Sequence, residues 1–232
     1  MRYLALCSDY DGTLATDSRV TPDTVRALQR LIASGRRLVL VTGRELPELL
    51  DVFPEIGLFE QVVAENGALL YEPATRQETL LATPPPEKFI HVLKQRGVSP
   101  LSVGRAILAT WRPHETVVLE TIRDFGLELQ VIFNKGAVMV LPAGVNKAFG
   151  LQHALEKMGV SPHNAIGIGD AENDHSLLQM CEIGVAVANA LPALKESADM
   201  VTAGARGAGV EELIEELLRD DLVRLQSRHV EY

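Results

Sequence analysis

Three short apolar runs, each followed by a polar loop and a helical pattern, constrain the fold of this chain more than any other feature. The runs Tyr3–Ser8, Arg37–Val41 and Ala165–Ile168 have the length and composition of buried strands. With a further strand predicted at Gln61–Ala64 and helices between the strands, the first part of the chain has a β-α-β-α-β order. This order favours a parallel sheet with right-handed crossovers, so we predict an α/β fold with a Rossmann-like parallel sheet at its core.

The regular alternation is interrupted in the middle of the chain. Thr83-Pro84-Pro85-Pro86 predicts a stiff linker, and Pro142-Ala143-Gly144 predicts a return linker. The helices and strands predicted between the two linkers form a smaller α+β unit. We therefore predict a core domain made of residues 1–83 and 143–232, with a cap domain of residues 84–142 inserted into it.

The first polar cluster, Asp9-Tyr10-Asp11-Gly12-Thr13, follows the first predicted strand. In open parallel sheets the loops at the carboxyl ends of the strands form the ligand crevice, so this cluster and those after the other strands should meet at one edge. One carboxylate of the pair Asp9 and Asp11 can attack phosphorus, and the other can protonate the leaving oxygen and later deprotonate water. The alternative is a solvated Asp-x-Asp-Gly turn. A calcium loop is excluded, because Val20 stands where such a loop needs a bidentate acid.

Two further clusters offer groups that bind a phosphoryl oxygen. Thr42-Gly43-Arg44 ends the second strand, where the Thr42 hydroxyl faces the crevice and Arg44 can form a bidentate fork on phosphate. The alternative here is a plain strand-to-helix turn with Gly43 at positive φ. Lys147 begins a predicted helix, where its charge opposes the helix dipole, and this unfavourable placement hints at a function. The alternative is a solvated lysine.

The cluster Gly169-Asp170-Ala171-Glu172-Asn173-Asp174 follows a strand of small residues and leads into a helix predicted at Asn173–Met180. A dinucleotide fingerprint is excluded, because Glu172 stands where its third glycine belongs. Mg²⁺ prefers carboxylate, phosphate and water oxygens in an octahedron. Asp9, Asp170 and the backbone carbonyl of Asp11 offer the protein's share of such a site.

The charge balance excludes several classes of partner. Asp and Glu number 31 against 22 Lys and Arg, a net charge of -9, which disfavours nucleic acid and gives no attraction to an anionic membrane. No apolar run has the length of a membrane span. The first motif lies too near Met1 for a cleaved signal peptide, and with Cys7 and Cys181 as the only cysteines we expect a reduced, cytoplasmic protein.

These clusters, in this order, resemble the four motifs of the haloacid dehalogenase superfamily of phosphohydrolases. Finer features resemble its Cof-type branch, in which an α/β cap is inserted between the second and third motifs. The residues that carry the resemblance are Asp9-Tyr10-Asp11-Gly12-Thr13, Thr42-Gly43-Arg44, Glu65-Asn66-Gly67-Ala68, Lys147, Gly169-Asp170-x-x-Asn173-Asp174, Gly184-Val185-Ala186 and Asn189-Ala190.

The resemblance implies a role for each motif residue. Asp9 is then the nucleophile and Asp11 the general acid and base, while Thr42 and Lys147 bind the transferring phosphoryl group. Magnesium is held by Asp9, Asp11 and Asp170, with Asp174 as a further or more distant ligand. The predicted phosphate site is completed by Gly43, Arg44 and Asn173.

We therefore predict a magnesium-dependent phosphatase that hydrolyses a small phosphorylated metabolite, such as a sugar phosphate or a phosphoglycolate-like acid, through an aspartyl-phosphate. The protein is expected to act as a monomer or homodimer without nucleic acid or membrane. A phosphomutase and a non-catalytic ligand-binding protein are the alternatives, whereas a dehalogenase has no use for a metal or for the acid at Asp11.

The cap is expected to set substrate specificity. A strand predicted at Arg105–Thr110 and its neighbours carry four candidates to reach a second anionic group of the substrate: Arg105, Arg112, His114 and Lys135. For each of them the alternative is an ordinary solvated charge.

Overall fold

The computed structural model describes residues 1–223 and 225 and contains two sheets within that part of the chain. The strands are β1 (Ala5–Ser8), β2 (Arg37–Val41), β3 (Gln61–Ala64), β4 (Leu69–Glu72), β5 (Gln77–Leu80), β6 (Ser102–Val103), β7 (Leu108–Trp111), β8 (Leu129–Asn134), β9 (Ala137–Pro142), β10 (Ala165–Gly169), β11 (Ile183–Ala186) and β12 (Met200–Val201). The helices are α1 (Pro22–Ala33), α2 (Leu46–Val52), α3 (Glu87–Gln95), α4 (Glu115–Phe125), α5 (Lys147–Met158), α6 (His175–Met180), α7 (Pro192–Ser197) and α8 (Gly207–Asp220).

The larger sheet has the order β12-β11-β10-β1-β2-β3-β4-β5 and confirms the predicted α/β core. Its six strands from β12 to β3 are parallel, and the hairpin strands β4 and β5 are antiparallel at one edge. All residues of β1, β10 and β11 are buried, which fits their continuous apolar sequences. Because β10, β1 and β2 are neighbours, the loops that follow them lie side by side at the carboxyl edge of the sheet.

The smaller sheet is antiparallel and has the order β6-β7-β9-β8. Side chains of α3 and α4, among them Phe89 and Val118, form its own buried cluster. A third cluster contains Ile107 and Met139 from this unit together with Ala68 of the core, so the unit packs on the core. Its helices and strands, from α3 to β9, lie within the segment 84–142 assigned to the cap. The domain boundaries remain a prediction, and the predicted core range includes residues 224 and 226–232, which lie outside the described residues.

β1 begins two residues later than predicted and β10 ends one residue later, and two other predicted elements differ more from the structure. The strand expected at Arg105–Thr110 begins only at Leu108, because the backbone amides before it turn toward a core carboxylate and leave the sheet. The continuous helix expected at Asn173–Met180 is divided into a 3-10 turn, Glu172–Asp174, and α6. Here the carboxylate of Asp174 accepts hydrogen bonds from backbone N–H groups just before the turn, which tightens it.

Candidate active site

A buried lysine lies between two buried carboxylates at the carboxyl edge of the large sheet. The Nζ atom of Lys147 donates to Oδ1 of Asp9 at 2.6 Å and to Oδ1 of Asp174 at 2.5 Å. All three side chains are almost completely buried. A buried charge is tolerated only when it is paired, so these carboxylates explain how an ammonium group can stand at the first residue of α5.

The pKa values of this trio reflect burial and mutual attraction. Desolvation, together with repulsion from Asp174, raises the pKa of Asp9 to about 7, although Lys147 acts in the opposite direction. Burial alone would lower the pKa of Lys147, but attraction by Asp174 and Asp9 raises it above its ordinary value. Lys147 therefore stays charged and favours the anionic form of the Asp9 carboxyl. The second oxygen of Asp9, Oδ2, accepts no hydrogen bond from the described residues.

Asp174 organises the loop after β10. Its Oδ2 atom accepts hydrogen bonds from the backbone N–H of Asp170 and of Ala171, both at 2.9 Å. A Cβ at Gly169 would lie 2.6 Å from the Cβ of Asp174, so glycine is required for this close approach. With Oδ1 bound to Lys147, both oxygens of Asp174 are already engaged by the protein.

Three carboxylates form a cluster that can hold a divalent cation. Oxygen atoms of Asp9, Asp170 and Asp174 lie within 4.8 Å of one another, and all three residues are buried. Oδ1 of Asp170 is buried without a hydrogen-bond partner, and Oδ2 accepts from Nζ of Lys135 at 2.5 Å and from Nδ2 of Asn189 at 3.1 Å. Hard oxygen donors, one of them unpartnered, fit Mg²⁺ or a similar cation. Asp11 contributes no side-chain oxygen to this cluster. Its predicted contribution to metal binding was the backbone carbonyl, and that ligand stays a prediction.

Asp11 is instead held by Arg44. Nε of Arg44 donates to Oδ2 of Asp11 at 2.6 Å, and Nη2 donates to Oδ1 at 2.7 Å. The guanidinium group also donates to the hydroxyl of Ser18 and lies 5.5 Å from the ring centre of Tyr10. Arg44, predicted to bind phosphate, thus binds the predicted acid and base, because its planar fork matches a carboxylate equally well.

The other predicted phosphate-binding residues lie at the same edge of the sheet. Oγ1 of Thr42 accepts a hydrogen bond from the backbone N–H of Arg44, and Thr42 is buried. Gly43 does not have the positive φ that was expected for a plain strand-to-helix turn. Nδ2 of Asn173 donates to Oδ1 of Asn66 at 2.9 Å, while Oδ1 of Asn173 is buried without a partner.

Of the four charged cap candidates, only Lys135 reaches the carboxylates. It lies in the two-residue turn between β8 and β9, at a φ of 47°, and its Nζ contacts Asp170. Arg105 pairs with Glu78. The other two candidates stay on the cap, since Arg112 lies over the ring of Phe133 and His114 contacts the backbone of Ser99.

A cavity of about 400 Å³ separates the core edge from the cap. From the core it is lined by Asp9, Asp11, Gly43, Arg44 and Glu48. From the cap it is lined by Ala109, Trp111, Asn134, Lys135, Ala137 and Met139. The carboxylates predicted to be catalytic, Asp9 and Asp11, therefore lie across the cavity from both polar and apolar side chains of the cap.

Several residues of the site were not identified from the sequence as site residues. Ser18 and Asn189 hold Arg44 and Asp170, and Asn66 holds Asn173. Asn66 and Asn189 lie in segments that carry the family resemblance, and this resemblance could have identified them as site residues. Ser18 gave none, because a serine in a polar loop is uninformative without the fold.

Comparisons with known proteins agree with this geometry. The chain matches the family described as haloacid dehalogenase-like hydrolase over residues 6–108 and 130–214. It is 33% identical over 220 residues to a phosphoglycolate phosphatase of Methanothermobacter thermautotrophicus, covering 90% of this chain and 96% of that protein. It is 32% identical over 224 residues to phosphoglycolate phosphatase 2 of Saccharolobus solfataricus, covering 93% and 92%.

Solved structures share the fold. A HAD/COF-like hydrolase from Plasmodium vivax superposes with a TM-score of 0.80 at 20% identity, over 94% of this chain and 96% of that one. A haloacid dehalogenase-like hydrolase from B. subtilis superposes with a TM-score of 0.76 at 16% identity, over 92% and 99%. Within the described residues, no helix has both the length and the apolar composition needed to cross a membrane.

Proposed function

We propose that this chain, which belongs to the haloacid dehalogenase-like hydrolases and is a phosphatase with a small phosphorylated substrate, acts on a short phosphorylated acid. In this proposal the reaction uses Mg²⁺ and passes through an aspartyl-phosphate. The observation that carries this proposal is the Lys147 bridge between Asp9 and Asp174 beside the unpartnered oxygen of Asp170. It combines a nucleophile, a fixed cation and a metal-binding carboxylate in one buried place.

In the first half of the proposed reaction, Oδ2 of Asp9 attacks phosphorus. The bond between phosphorus and the leaving oxygen breaks, and the protonated carboxyl of Asp11 donates its proton to that oxygen. The dephosphorylated product leaves as an alcohol, and Asp11 is left as a carboxylate. Lys147 and the Thr42 hydroxyl hold the phosphoryl oxygens and compensate their charge. When bound by Asp9 and Asp170, Mg²⁺ would neutralise further negative charge on the phosphoryl group.

In the second half, Asp11 takes a proton from a water molecule, whose oxygen attacks phosphorus and breaks the bond to Asp9. Orthophosphate leaves and the Asp9 carboxylate is restored. Arg44 holds both oxygens of the ionised Asp11 and so fixes its orientation as the base of this step. Asp174, whose oxygens are engaged, acts by holding Lys147 and the metal-binding loop in place.

We propose phosphoglycolate, or an acid of similar size, as the substrate. Relatives of about one-third identity are named phosphoglycolate phosphatases and are matched over nearly their full lengths. In this chain Lys135 extends from the cap to Asp170 and lines the cavity, so it is placed to meet a second anionic group. A sugar phosphate would offer only hydroxyl groups there, so it would give this ammonium no anionic partner besides Asp170.

The test is phosphate release by the full-length protein from 2-phosphoglycolate, a panel of sugar phosphates and p-nitrophenyl phosphate. We expect activity with added Mg²⁺, loss of activity in excess chelator, and the highest kcat/KM with 2-phosphoglycolate. Full activity in excess chelator would exclude the metal. A sugar phosphate as the best substrate would overturn the proposed substrate class.

The variant Asp9→Asn separates the mechanism from the fold. It keeps the side-chain shape but removes the nucleophile, so kcat should fall by at least about a thousandfold while circular dichroism is unchanged. In acid-quenched wild-type enzyme, mass spectrometry should find phosphate on the peptide that contains Asp9. Asp17→Asn, in the exposed turn that follows the same motif, is the matched control and should retain full activity. A folded Asp9→Asn enzyme with near wild-type turnover excludes the covalent mechanism.

A further inference from the structure

The segment Glu65-Asn66-Gly67, between β3 and β4, has no role in the reaction described above. All three residues have positive φ values, 51°, 54° and 110°. This conformation is unfavourable for Glu65, which has no tolerance for left-handed backbone of the kind that glycine has. Backbone strain of this kind persists only where the surrounding structure imposes it, and here the surroundings belong to the candidate active site.

The backbone of this segment is bound to the phosphate-binding elements of the core. The N–H of Glu65 donates to the carbonyl of Arg44, and the N–H of Asn66 donates to the carbonyl of Thr42, both at 2.9 Å. Gly67 packs so closely on the residue before α5 that a Cβ would lie 1.9 Å from the carbonyl oxygen of Asn146. The segment is therefore fixed relative to both Thr42 and the helix that begins with Lys147.

The side chain of Glu65 extends from this fixed segment into the cap. Its Oε1 atom accepts from the N–H of Arg105 at 2.8 Å, and Oε2 accepts from Ala106 at 2.8 Å and from Ile107 at 3.0 Å. Glu65 is fully buried, so its charge depends on these three cap amides for compensation. On the cap side Gly104 makes room, since a Cβ there would lie 2.8 Å from the Glu65 carboxyl carbon.

The cap residues held by Glu65 lead directly into the wall of the cavity. Residues 105–107 precede β7, and β7 carries Ala109 and Trp111 on the cavity side opposite Asp9. Displacement of the loop would displace the start of this strand. We propose that Glu65 is a positioning residue, which sets the cap wall at Ala109 and Trp111 relative to the phosphoryl site and so selects the part of the substrate beyond the phosphate.

This inference rests on the proposed function for its kinetic readout alone. If 2-phosphoglycolate is not a substrate, the best natural substrate of the panel takes its place. A wrong choice of substrate can therefore be distinguished from a wrong assignment of the positioning role.

The test compares Glu65→Gln with Glu78→Gln in the full-length protein. Glu78 is the matched control, because it binds the same cap loop through Arg105 but at the exposed surface. Glutamine at position 65 retains one acceptor oxygen and places an NH₂ group against cap N–H donors. In Glu65→Gln we expect amide exchange of residues 105–107 to accelerate by about tenfold, while Glu78→Gln leaves it unchanged.

Two further readouts distinguish positioning from a purely structural role. Trp111 is the only tryptophan of the chain, so its fluorescence reports the cavity wall directly. We expect its quenching by acrylamide to increase in Glu65→Gln. The ratio of kcat/KM for 2-phosphoglycolate to kcat/KM for p-nitrophenyl phosphate should fall by about tenfold, mainly through KM, because the phosphoryl site itself is retained.

Faster amide exchange with an unchanged substrate ratio would show that Glu65 only stabilises the loop, and would overturn the proposal. Unchanged amide exchange would overturn it as well. If Glu65→Gln does not fold, Gly104→Ala tests the same contact from the cap, since its added methyl group pushes the carboxylate away. A folded Gly104→Ala protein with wild-type quenching and a wild-type substrate ratio would likewise exclude the positioning role.

Discussion

At the residue scale, Lys147 is the side chain whose surroundings most constrain the mechanism. It is buried at a helix N-terminus, where the helix dipole opposes its charge, yet two carboxylates compensate it within 2.6 Å. The sequence indicated that the lysine was unfavourably placed. It did not show that Asp9 and Asp174 would compensate the charge, because Asp9 is 138 residues away along the chain.

We expect Lys147→Met to abolish turnover of every substrate alike, because all substrates share the phosphoryl group. The change also leaves Asp9 and Asp174 buried without their cation, so the free energy of unfolding should fall by about 3 kcal/mol or more. Urea denaturation and kcat measure the two effects. Lys157→Met, which removes a more exposed ion pair with Glu72, is the control and should change both quantities little. Wild-type stability of Lys147→Met would contradict the paired burial described here.

Arg44 gives a second prediction at this scale. Arg44→Lys keeps the charge but loses the bidentate fork on Asp11, so the acid and base group is no longer fixed. We expect kcat to fall by about tenfold or more with little change in stability. Arg26→Lys, at an exposed pair with Asp23, should leave kcat unchanged. If Arg44→Lys instead raised KM alone, Arg44 would be a phosphate ligand, as the sequence first indicated.

At the element scale, the segments with strong local signals were predicted well. β2 and β3 have the predicted bounds, and α5 begins at Lys147 as predicted. Thr21 is the N-cap of α1, since its Oγ1 accepts from the N–H of Thr24. The two larger errors, at residues 105–107 and 172–174, arise where a distant or a local carboxylate accepts hydrogen bonds from backbone amides. The spacing of apolar residues along the chain carries no information about such hydrogen bonds.

The N-cap residue of helix α1, Thr21, provides the prediction for this scale. Thr21→Ala should lower the free energy of unfolding by about 1 kcal/mol, because the helix loses an acceptor for its first amides. Thr21→Ser restores the acceptor and should recover most of the loss. Activity should be retained in both variants, since α1 lies away from the cavity-lining residues. Denaturant midpoints measure the effect, and an equal loss in both variants would mean that the hydroxyl bond is not its cause.

At the scale of the whole molecule, the topology decides which predicted site residues meet. The neighbouring positions of β10, β1 and β2 bring together the polar clusters that follow them, and this could be predicted from strand order alone. Which cap residue reaches the site could not be predicted, because the four charged candidates of the cap were equivalent in the sequence. Only the turn between β8 and β9 extends one of them, Lys135, across the cavity to Asp170.

The cap should therefore select substrates through Lys135 and not through Arg112. Lys135→Ala removes the cap cation that faces the cavity, so kcat/KM for 2-phosphoglycolate should fall by at least about tenfold more than kcat/KM for p-nitrophenyl phosphate, which has no second anion. Arg112→Ala is the control within the same cap, because this arginine lies over the ring of Phe133, and its effect on the ratio should be small. Lys135 also contacts Asp170, so the Mg²⁺ dependence of each variant is measured in parallel to separate metal binding from substrate selection. Equal losses for both substrates in Lys135→Ala, with an altered Mg²⁺ requirement, would assign this lysine to the metal site and leave the cap without its proposed anion contact.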